Sequence, residues 1–185
     1  MKNILFLAGI LMLMQSCQGT KGDFIISKNK VGKLTDSTKI YQMKQLYKSD
    51  SIVENMQNAS AFGVYEEYTV YDKQTRKPLL TVVPVKINDS ASLIKTIEIR
   101  SDIFKTAKGI CLSSEFEKIQ SNTKINKVEE TFKYIVLYLD EFNATIDIDK
   151  DVLPLSAQHN RSVKVDETLI PNDAKMSHFI VFMNE

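Results

Sequence analysis

The side chains best suited to acid–base chemistry in this 185-residue chain are its two histidines, His159 and His178. A histidine can act as a base near neutral pH, and with a serine and an aspartate it can form a hydrolytic triad. The sequence has no Gly-x-Ser-x-Gly element to expose a nucleophilic serine, and Ser113-Ser114 is better explained as a helix cap. His178 alternates with Met176 and Ile180 on one face of a strand, so it is either a hydrogen-bonded histidine within a sheet or an exposed one. We therefore predict that neither histidine is catalytic.

The acidic segment Asp147–Asp151 has the Asp-x-Asp-x-Asp spacing with which a calcium loop begins. Val152 stands where such a loop needs glycine, and Gln158 occupies the position that requires a bidentate glutamate. We interpret the segment as the polar face of a strand that runs into a turn. The chain also lacks the glycine patterns of nucleotide sites and the Cys/His spacing of zinc sites. The prediction is a protein without metal or cofactor.

Three tyrosines, Tyr65, Tyr68 and Tyr71, form a candidate binding face. In a strand Tyr65 and Tyr71 share one face and Tyr68 takes the other, because successive side chains alternate. Exposed tyrosines could bind a protein or a sugar, since they bury a large area and keep a polar tip. The alternative is ordinary sheet packing beneath a helix.

The composition argues against nucleic-acid binding and against disorder. The chain has 24 Lys and Arg residues against 23 Asp and Glu residues, so it lacks the basic excess that nucleic-acid binding needs. Hydrophobic residues make up 43% and charged residues 25%, which are globular values. The length suits one domain or two small fused units.

The N-terminus has the pattern of an export signal. Lys2 precedes the apolar run Ile4–Met14, which is too short to span a bilayer and is typical of a cleaved signal peptide. The segment Leu13–Cys17 resembles a bacterial lipobox, in which the cysteine is diacylated and becomes the new N-terminus. We predict a lipoprotein signal peptide over residues 1–16 and lipidation of Cys17. The alternative is a soluble secreted protein that is cut elsewhere.

A diacylated cysteine anchors a protein stably in a membrane, because two or more acyl chains give stable membrane binding whereas a single chain does not. Residues 17–23 would then form a lipidated tether, and residues 24–185 a single domain. The predicted location is the bacterial cell envelope, at the periplasmic or outer face of the outer membrane. Cys111 would be the remaining thiol, and its apolar neighbours predict a buried structural cysteine.

Two glycine turns, at Gly32 and Gly109, each lead into a predicted helix. Residues with side-chain hydroxyl or carboxylate oxygens follow each turn, and these oxygens can accept hydrogen bonds from the backbone N–H groups at the start of a helix. The predicted caps are Thr35, Asp36 or Ser37 for the first helix, and Ser114 with Glu117 for the second.

After each predicted helix come three strand-like runs that indicate an antiparallel meander. Pro84 cannot donate to a ladder, so the second run is an edge strand or is broken there. Residues 152–171 lack periodicity and are typical of a long surface loop. The strand-like runs are residues 64–72, 78–86 and 93–100 after the first helix, and 131–140, 141–149 and 175–183 after the second.

These elements predict an α+β fold: two helix-then-antiparallel-meander units form a sheet layer covered by helices on one face. The units, residues 24–101 and 102–185, indicate an internal duplication.

The repeated glycine turn, capped helix and meander is similar to the tandem helix-plus-sheet unit of beta-lactamase inhibitor proteins and small outer-membrane assembly lipoproteins. The stretch Phe104–Ile110, with the pattern Phe-Lys-Thr-x-x-Gly-Ile, resembles a group of uncharacterised Bacteroidota lipoproteins. The resemblance covers residues 24–149, and it implies a protein that binds other proteins through a sheet face. It assigns no functional residue.

Three Asp-Ser pairs resemble the Asp-Ser/Thr-aliphatic site at which Bacteroidota attach O-glycans to exported proteins. Their serines, Ser37, Ser51 and Ser90, are therefore candidate modification sites.

The resulting hypothesis is a non-enzymatic envelope lipoprotein that binds an envelope or secreted protein through a sheet face, with an inhibitor or immunity protein as a specific version. One alternative is a small-ligand binder whose pocket lies between two sheets. Another is a hydrolase with His159 as its base.

Overall fold

The structure is a computed structural model that describes residues 21–59, 63–158 and 165–184. Its elements form one large antiparallel sheet, one small sheet and short helices, which confirms the α+β class. In chain order they are β1 (Ile25–Ser27), β2 (Lys30–Val31), β3 (Leu34–Thr35), α1 (Ile40–Leu46), β4 (Ser51–Ala59), β5 (Gly63–Tyr71), β6 (Pro78–Pro84), β7 (Ile94–Ile99), β8 (Lys105–Thr106), α2 (Phe116–Asn122), β9 (Lys127–Glu130), β10 (Tyr134–Leu139), β11 (Ala144–Asp149), α3 (Leu155–Gln158) and β12 (Met176–Phe182).

The large sheet has eight strands in the order β4-β5-β6-β7-β12-β11-β10-β9. The four strands that follow α1 therefore occupy one half, and the four that follow α2 occupy the other. The halves join where β7 pairs with β12, with Ile97 opposite Val181. Because these strands pair directly, the two meanders form one continuous sheet rather than two sheets with a pocket between them.

The prediction of three strands in each meander is wrong, because each has four. The unpredicted strands, β4 and β9, lie at the two edges of the sheet. An edge strand packs less against the core, so its sequence carries a weaker apolar pattern. Strand β6 lies between β5 and β7 and ends at Pro84, where the register shifts. The sequence left two alternatives for the strand that contains Pro84, an edge strand or a strand broken at the proline, and the broken strand is confirmed.

The small sheet has the order β3-β2-β1-β8, and β8 runs parallel to β1. Gly32, between β2 and β3, has φ +58. A Cβ there would lie 2.7 Å from the carbonyl oxygen of Asp23 and 2.8 Å from Cε1 of Phe104, so no side chain fits. Gly109 also has a positive φ, which confirms both predicted glycine turns.

The helices begin later than predicted. The residue before α1 is Lys39, whose N–H donates to Oε1 of Gln42 at 2.9 Å. A cap at residues 35–37 is wrong, because β3 and a turn occupy that segment. The residue before α2 is Glu115, and the hydroxyl of Ser114 accepts from the Cys111 N–H instead of capping the helix.

Both helices are attached to the large sheet in the same way. The first two N–H groups of each helix donate to backbone carbonyls in the loop before the last strand of the following meander. The four bonds are Ile40 N to Ser92 O (3.0 Å), Tyr41 N to Ser90 O (2.9 Å), Phe116 N to Ala174 O (2.8 Å) and Glu117 N to Asn172 O (2.9 Å).

The core lies between one face of the large sheet and the helices. Ile97 and Ile146 on the sheet are fully buried, and they belong to one apolar cluster with Ile40 of α1 and Phe116 of α2. Within the described part of the chain, the residues of this cluster fall between Ile26 and Met183, so a chain that starts at residue 18 contains all of them.

The predicted tether and loop contain short helical turns. A 3-10 turn spans Lys21–Phe24, and two others, with α3 between them, occupy Lys150–Val152 and Glu167–Leu169. Cys17 and His159 lie outside the described residues. No helix in the described part of the chain has the length and apolar character to span a membrane.

Candidate functional site

The face of the large sheet opposite the helices is partly exposed, and we call it the open face. We assign residues to the open face from the strand register, because each side chain lies on the same side of the sheet as the side chain of its cross-strand partner. Exposed fractions of 42% for Val53 and 37% for Phe182 show that apolar side chains reach its surface. The open face includes Val53, Thr69, Thr81, Val83, Thr96, Glu98, Tyr134, Val136, Tyr138, Thr145, Asp147, His178, Ile180 and Phe182.

A hydrogen-bonded cluster occupies the centre of the open face. Nδ1 of His178 on β12 lies 2.7 Å from Oε1 of Glu98 on β7. Nε2 of the same ring lies 3.2 Å from the hydroxyl of Tyr134 on β10. The two rings meet edge to face, with centroids 5.3 Å apart. In a neutral histidine that donates from Nδ1 to Glu98, Nε2 accepts from Tyr134, so both ring nitrogens are engaged.

Charged neighbours surround this cluster. Arg100 donates to Glu98 Oε1 at 2.9 Å, so Glu98 has a second partner. Asp147 faces His178 directly across the β11–β12 pair. Burial raises the pKa of Asp147, the His178 ring lowers it when it is protonated, and the charge of Glu98 raises it. The centre of the open face therefore holds two carboxylates with one histidine between them.

The geometry gives His178 an orienting carboxylate but no nucleophile. In a hydrolytic triad the second ring nitrogen would face a serine or cysteine, whereas here it faces the phenol of Tyr134. Among the described residues, no group of three or more His, Cys, Asp or Glu side chains could hold a metal ion. The cluster is arranged to donate and accept hydrogen bonds at a partly exposed surface.

The predicted tyrosines do not form one surface. Tyr68 is only 4% exposed and lies on the helix side, where its hydroxyl donates to Glu66 and Nζ of Lys44 lies 4.7 Å from its ring centroid. Tyr71 is half-buried, and it lies on the open face because it is two residues after Thr69 in the same strand. Tyr65 belongs to β5, and its side chain lies outside the described part of the structure.

The other predicted residues have three different environments. Ser37, Ser51 and Ser90 are all exposed, which leaves their hydroxyls accessible to a modifying enzyme. Cys111 is a buried free thiol with 7% exposure, which confirms the prediction of a buried cysteine. Of the two alternatives for His178, the hydrogen-bonded sheet histidine is confirmed, because both of its ring nitrogens have partners on other strands.

Sequence reasoning missed Glu98, Tyr134 and Phe182. Alternation within the predicted strands places Glu98 and Tyr134 on the polar side, but no pattern shows that these strands flank His178. The pairing of β7 with β12, which brings Glu98 beside His178, becomes visible only in the folded sheet.

A hollow of about 690 Å³ lies at the end of the large sheet where β10 and β12 end. Two aromatic residues of the open face, Tyr138 and Phe182, contribute to its wall. Its lining consists of Lys95, Tyr138, Asp140, Asn143, Ala144, Phe182, Met183 and Asn184.

The chain shares a fold with a solved protein. The crystal structure of the uncharacterized protein yfeY from Escherichia coli matches with a TM-score of 0.54 and 14% identity, over 85% of this chain and 99% of that one. At this identity the similarity shows the fold alone. No protein-family model and no curated protein matches the chain.

Proposed function

We propose that this protein is an envelope-anchored lipoprotein that binds another protein through the open face of its large sheet. One observation carries the proposal: a partly exposed sheet face with a hydrogen-bonding centre at Glu98 and His178 and apolar residues around it. Side-chain exposures of 22% for Glu98 and 31% for His178 leave both groups within reach of a partner.

The distribution of side chains on the open face resembles that of a protein interface, in which apolar and aromatic contacts surround a few polar groups. Ile180 lies opposite Glu98, and Val136 lies opposite Asp147, so apolar residues border both carboxylates. Phe182, which faces Thr96, adds an aromatic side chain at the edge of this region. Residues of this type carry a large share of binding energy when a partner buries them.

The membrane anchor of the proposal rests on the sequence. Lys2, the apolar run Ile4–Met14 and Cys17 support export and lipidation at the envelope. Because the 3-10 turn at Lys21–Phe24 is followed directly by β1, a lipid on Cys17 would hold the domain within a few residues of the bilayer. The near-neutral charge supports a protein partner rather than nucleic acid.

The two-unit layout is also part of the proposal, in which each half of the chain is one copy of a duplicated unit. The matched bonds from α1 and α2 to the loops before β7 and β12 support a common ancestor. A further parallel is that Thr38 and Ser114, each one residue before a helix N-cap, accept from a backbone N–H three residues earlier. The open face would then span the junction of the copies.

An affinity capture from envelope extract tests the proposed binding face. The chain from residue 18 onward is compared with Phe182→Asp and with the control Phe132→Asp, since Phe132 is fully exposed in the turn before β10. We expect Phe182→Asp to weaken capture by about 2 kcal/mol, as at an interface hot spot, and the control to leave it unchanged. Equal capture by all three chains contradicts the proposal, provided that thermal unfolding shows each to be folded.

A second candidate function is the binding of a small ligand in the hollow beside Tyr138 and Phe182. The volume of about 690 Å³ and the two aromatic walls favour it. A Phe182→Asp variant that still captures the partner protein but loses a ligand-induced rise in melting temperature would favour this function over the first.

A further inference from the structure

The chain enters the fold at one particular end of the large sheet. A Cβ on Gly32 would lie 2.7–3.4 Å from the Asp23 carbonyl oxygen, a ring carbon of Phe104 and the Tyr47 hydroxyl, so these residues meet at one place. Tyr47 lies at the end of α1, shortly before β4 begins, and Phe104 follows the end of β7. The first described residues therefore lie at the end of the sheet where β4 begins and β7 ends.

Two hairpin turns lie at this same end. Ser51, the first residue of β4, lies opposite Tyr71, the last residue of β5, and the antiparallel pairing continues through β6, β7, β12 and β11. Tyr134, the first residue of β10, lies opposite Asp149, the last residue of β11. The turns at residues 72–77 and 131–133 are therefore both at the end where the chain enters. We call these two turns the basic end.

The basic end has an excess of positive charge. Its four basic residues and one acidic residue are Lys73, Arg76, Lys77, Lys133 and Asp72. The Asp72 carboxylate is engaged within its own turn, where Oδ1 accepts from the N–H groups of Gln74 (3.1 Å) and Thr75 (2.6 Å). Residues 73–77 are all exposed. Among the salt bridges of the described residues, none involves the three cations of this turn.

The opposite end of the sheet has the opposite charge. Its described turns, residues 85–93 and 140–143, contain one basic and three acidic residues. The longer connections at the end where the chain enters, residues 100–104 and 150–175, contain equal numbers of basic and acidic residues, so they preserve the excess there. The domain is therefore polarised along its strands although its total charge is nearly zero.

Phe132 adds a fully exposed aromatic side chain to the basic end. Its turn is closed by two hydrogen bonds: the Thr131 N–H donates to the Tyr134 carbonyl oxygen at 2.8 Å, and the Tyr134 N–H donates to the Thr131 hydroxyl at 2.9 Å. The next residue, Lys133, is also exposed. Lysine and arginine attract anionic lipid headgroups, and an apolar ring beside them can enter the boundary between headgroups and acyl chains.

We propose that the basic end binds the surface of a membrane that contains anionic lipids, with Lys73, Arg76 and Lys77 at the headgroups and Phe132 inserted beside them. The position of the chain start favours this occupant. Cys17 precedes Lys21 by four residues, which span at most about 14 Å when fully extended. A lipid on Cys17 would thus bring the bilayer to the end of the sheet that carries the cations.

This orientation in the cell rests on the lipidation in the proposed function, but the surface is separate from the proposed protein-binding site. Phe182, the last residue of β12, lies opposite Thr96 near the start of β7, and it is therefore at the other end of the sheet. A domain bound through the basic end would present Phe182 away from the bilayer.

The sequence contains no tryptophan, which permits a direct test by fluorescence. Phe132→Trp introduces a single fluorophore at the basic end. The matched control is Ile87→Trp, because Ile87 is 44% exposed in a turn at the opposite end. Each chain, from residue 17 onward, is coupled through Cys17 to a maleimide lipid in vesicles of phosphatidylcholine and phosphatidylglycerol in equal amounts, since Cys111 is buried. Thermal unfolding verifies that both variants are folded.

Lipids with brominated acyl chains quench a tryptophan that enters the membrane. We expect quenching and a blue-shifted emission for Phe132→Trp, and neither for Ile87→Trp. Lys73→Gln and Lys77→Gln, added to Phe132→Trp, should each weaken the contact about fivefold, because each removes one charge near the anionic surface. Lys86→Gln, at the opposite end, should leave the quenching unchanged.

Three results would overturn the proposal: no quenching of Phe132→Trp, equal quenching of Ile87→Trp, or the same quenching of Phe132→Trp in vesicles of phosphatidylcholine alone. The maleimide coupling replaces acylation, and no partner protein is present. These results are therefore independent of whether Cys17 is lipidated in the cell and of whether the open face binds a protein.

Discussion

His178 reaches across the junction of the two meanders, where its Nδ1 atom lies 2.7 Å from Oε1 of Glu98 on the neighbouring strand. The polar centre of the open face thus coincides with the pairing of β7 and β12. A partner that binds at this centre would contact both halves of the chain.

The first prediction concerns the hydroxyl of Tyr134. Tyr134→Phe removes the group that lies 3.2 Å from Nε2 of His178 and keeps the edge-to-face ring contact. We expect the free energy of unfolding to fall by about 1 kcal/mol or less, because the net contribution of one hydrogen bond is of this size and the site is partly exposed. Urea unfolding measures the change. A loss as large as that of Ile97→Ala, in the buried core, would show that the cluster has a different role.

The second prediction concerns Asp147 and pH. Burial raises the pKa of Asp147, the His178 ring lowers it when it is protonated, and the charge of Glu98 raises it. A raised pKa means that the folded state binds the proton more tightly than the unfolded state, so stability falls as pH rises through the folded-state pKa. Asp147→Asn should therefore be more stable than the unmodified chain at neutral pH, and the difference should shrink in acid. Urea unfolding of both proteins from acidic to neutral pH measures this difference. An Asp147→Asn variant that is less stable than the unmodified chain at neutral pH would contradict the expectation.

The third prediction compares the two glycine turns. Gly109→Ala introduces a residue at φ +80, where its Cβ meets nothing closer than 3.7 Å, so its cost is the backbone strain of about 1–2 kcal/mol. Gly32→Ala adds to a similar strain the contacts below 3 Å with Asp23 and Phe104. We expect Gly32→Ala to lower the melting temperature clearly more than Gly109→Ala. Equal effects would mean that the small sheet relaxes without cost.

The fourth prediction concerns the anchor. Cys17→Ser should abolish incorporation of labelled palmitate and release the protein from the membrane fraction, because the acylated thiol is lost. Cys111→Ser is the matched control, since this thiol is buried in the fold and should not affect labelling. Retained labelling in Cys17→Ser would disprove the proposed lipidation site.

Periodicity alone predicts much of the fold. Helices α1 and α2, the two glycine turns and six of the eight strands of the large sheet follow from local patterns, whereas α3 lies in the segment predicted to be a loop. Strand β4 escaped prediction because an edge strand with polar residues such as Asn55 and Glu54 does not alternate clearly.

The candidate site could not be predicted in the same way. Its hydrogen bonds connect residues 80 positions apart, between His178 and Glu98, and 44 positions apart, between His178 and Tyr134. Local sequence shows which side of a strand a residue takes, but the order of strands depends on tertiary packing. The tyrosine face was based on spacing within a single strand, and spacing left open whether Tyr68 binds a partner or packs beneath a helix; its burial against Lys44 of α1 supports the packing.

Photo-cross-linking in intact envelopes tests the central proposal most directly. A photoreactive amino acid replaces Phe182 on the open face in one chain and Phe132 in the turn before β10 in a control chain. We predict that the chain modified at position 182 forms one discrete adduct with a single protein and that the control forms none. The opposite pattern, or adducts of equal yield at both positions, would contradict binding through the open face.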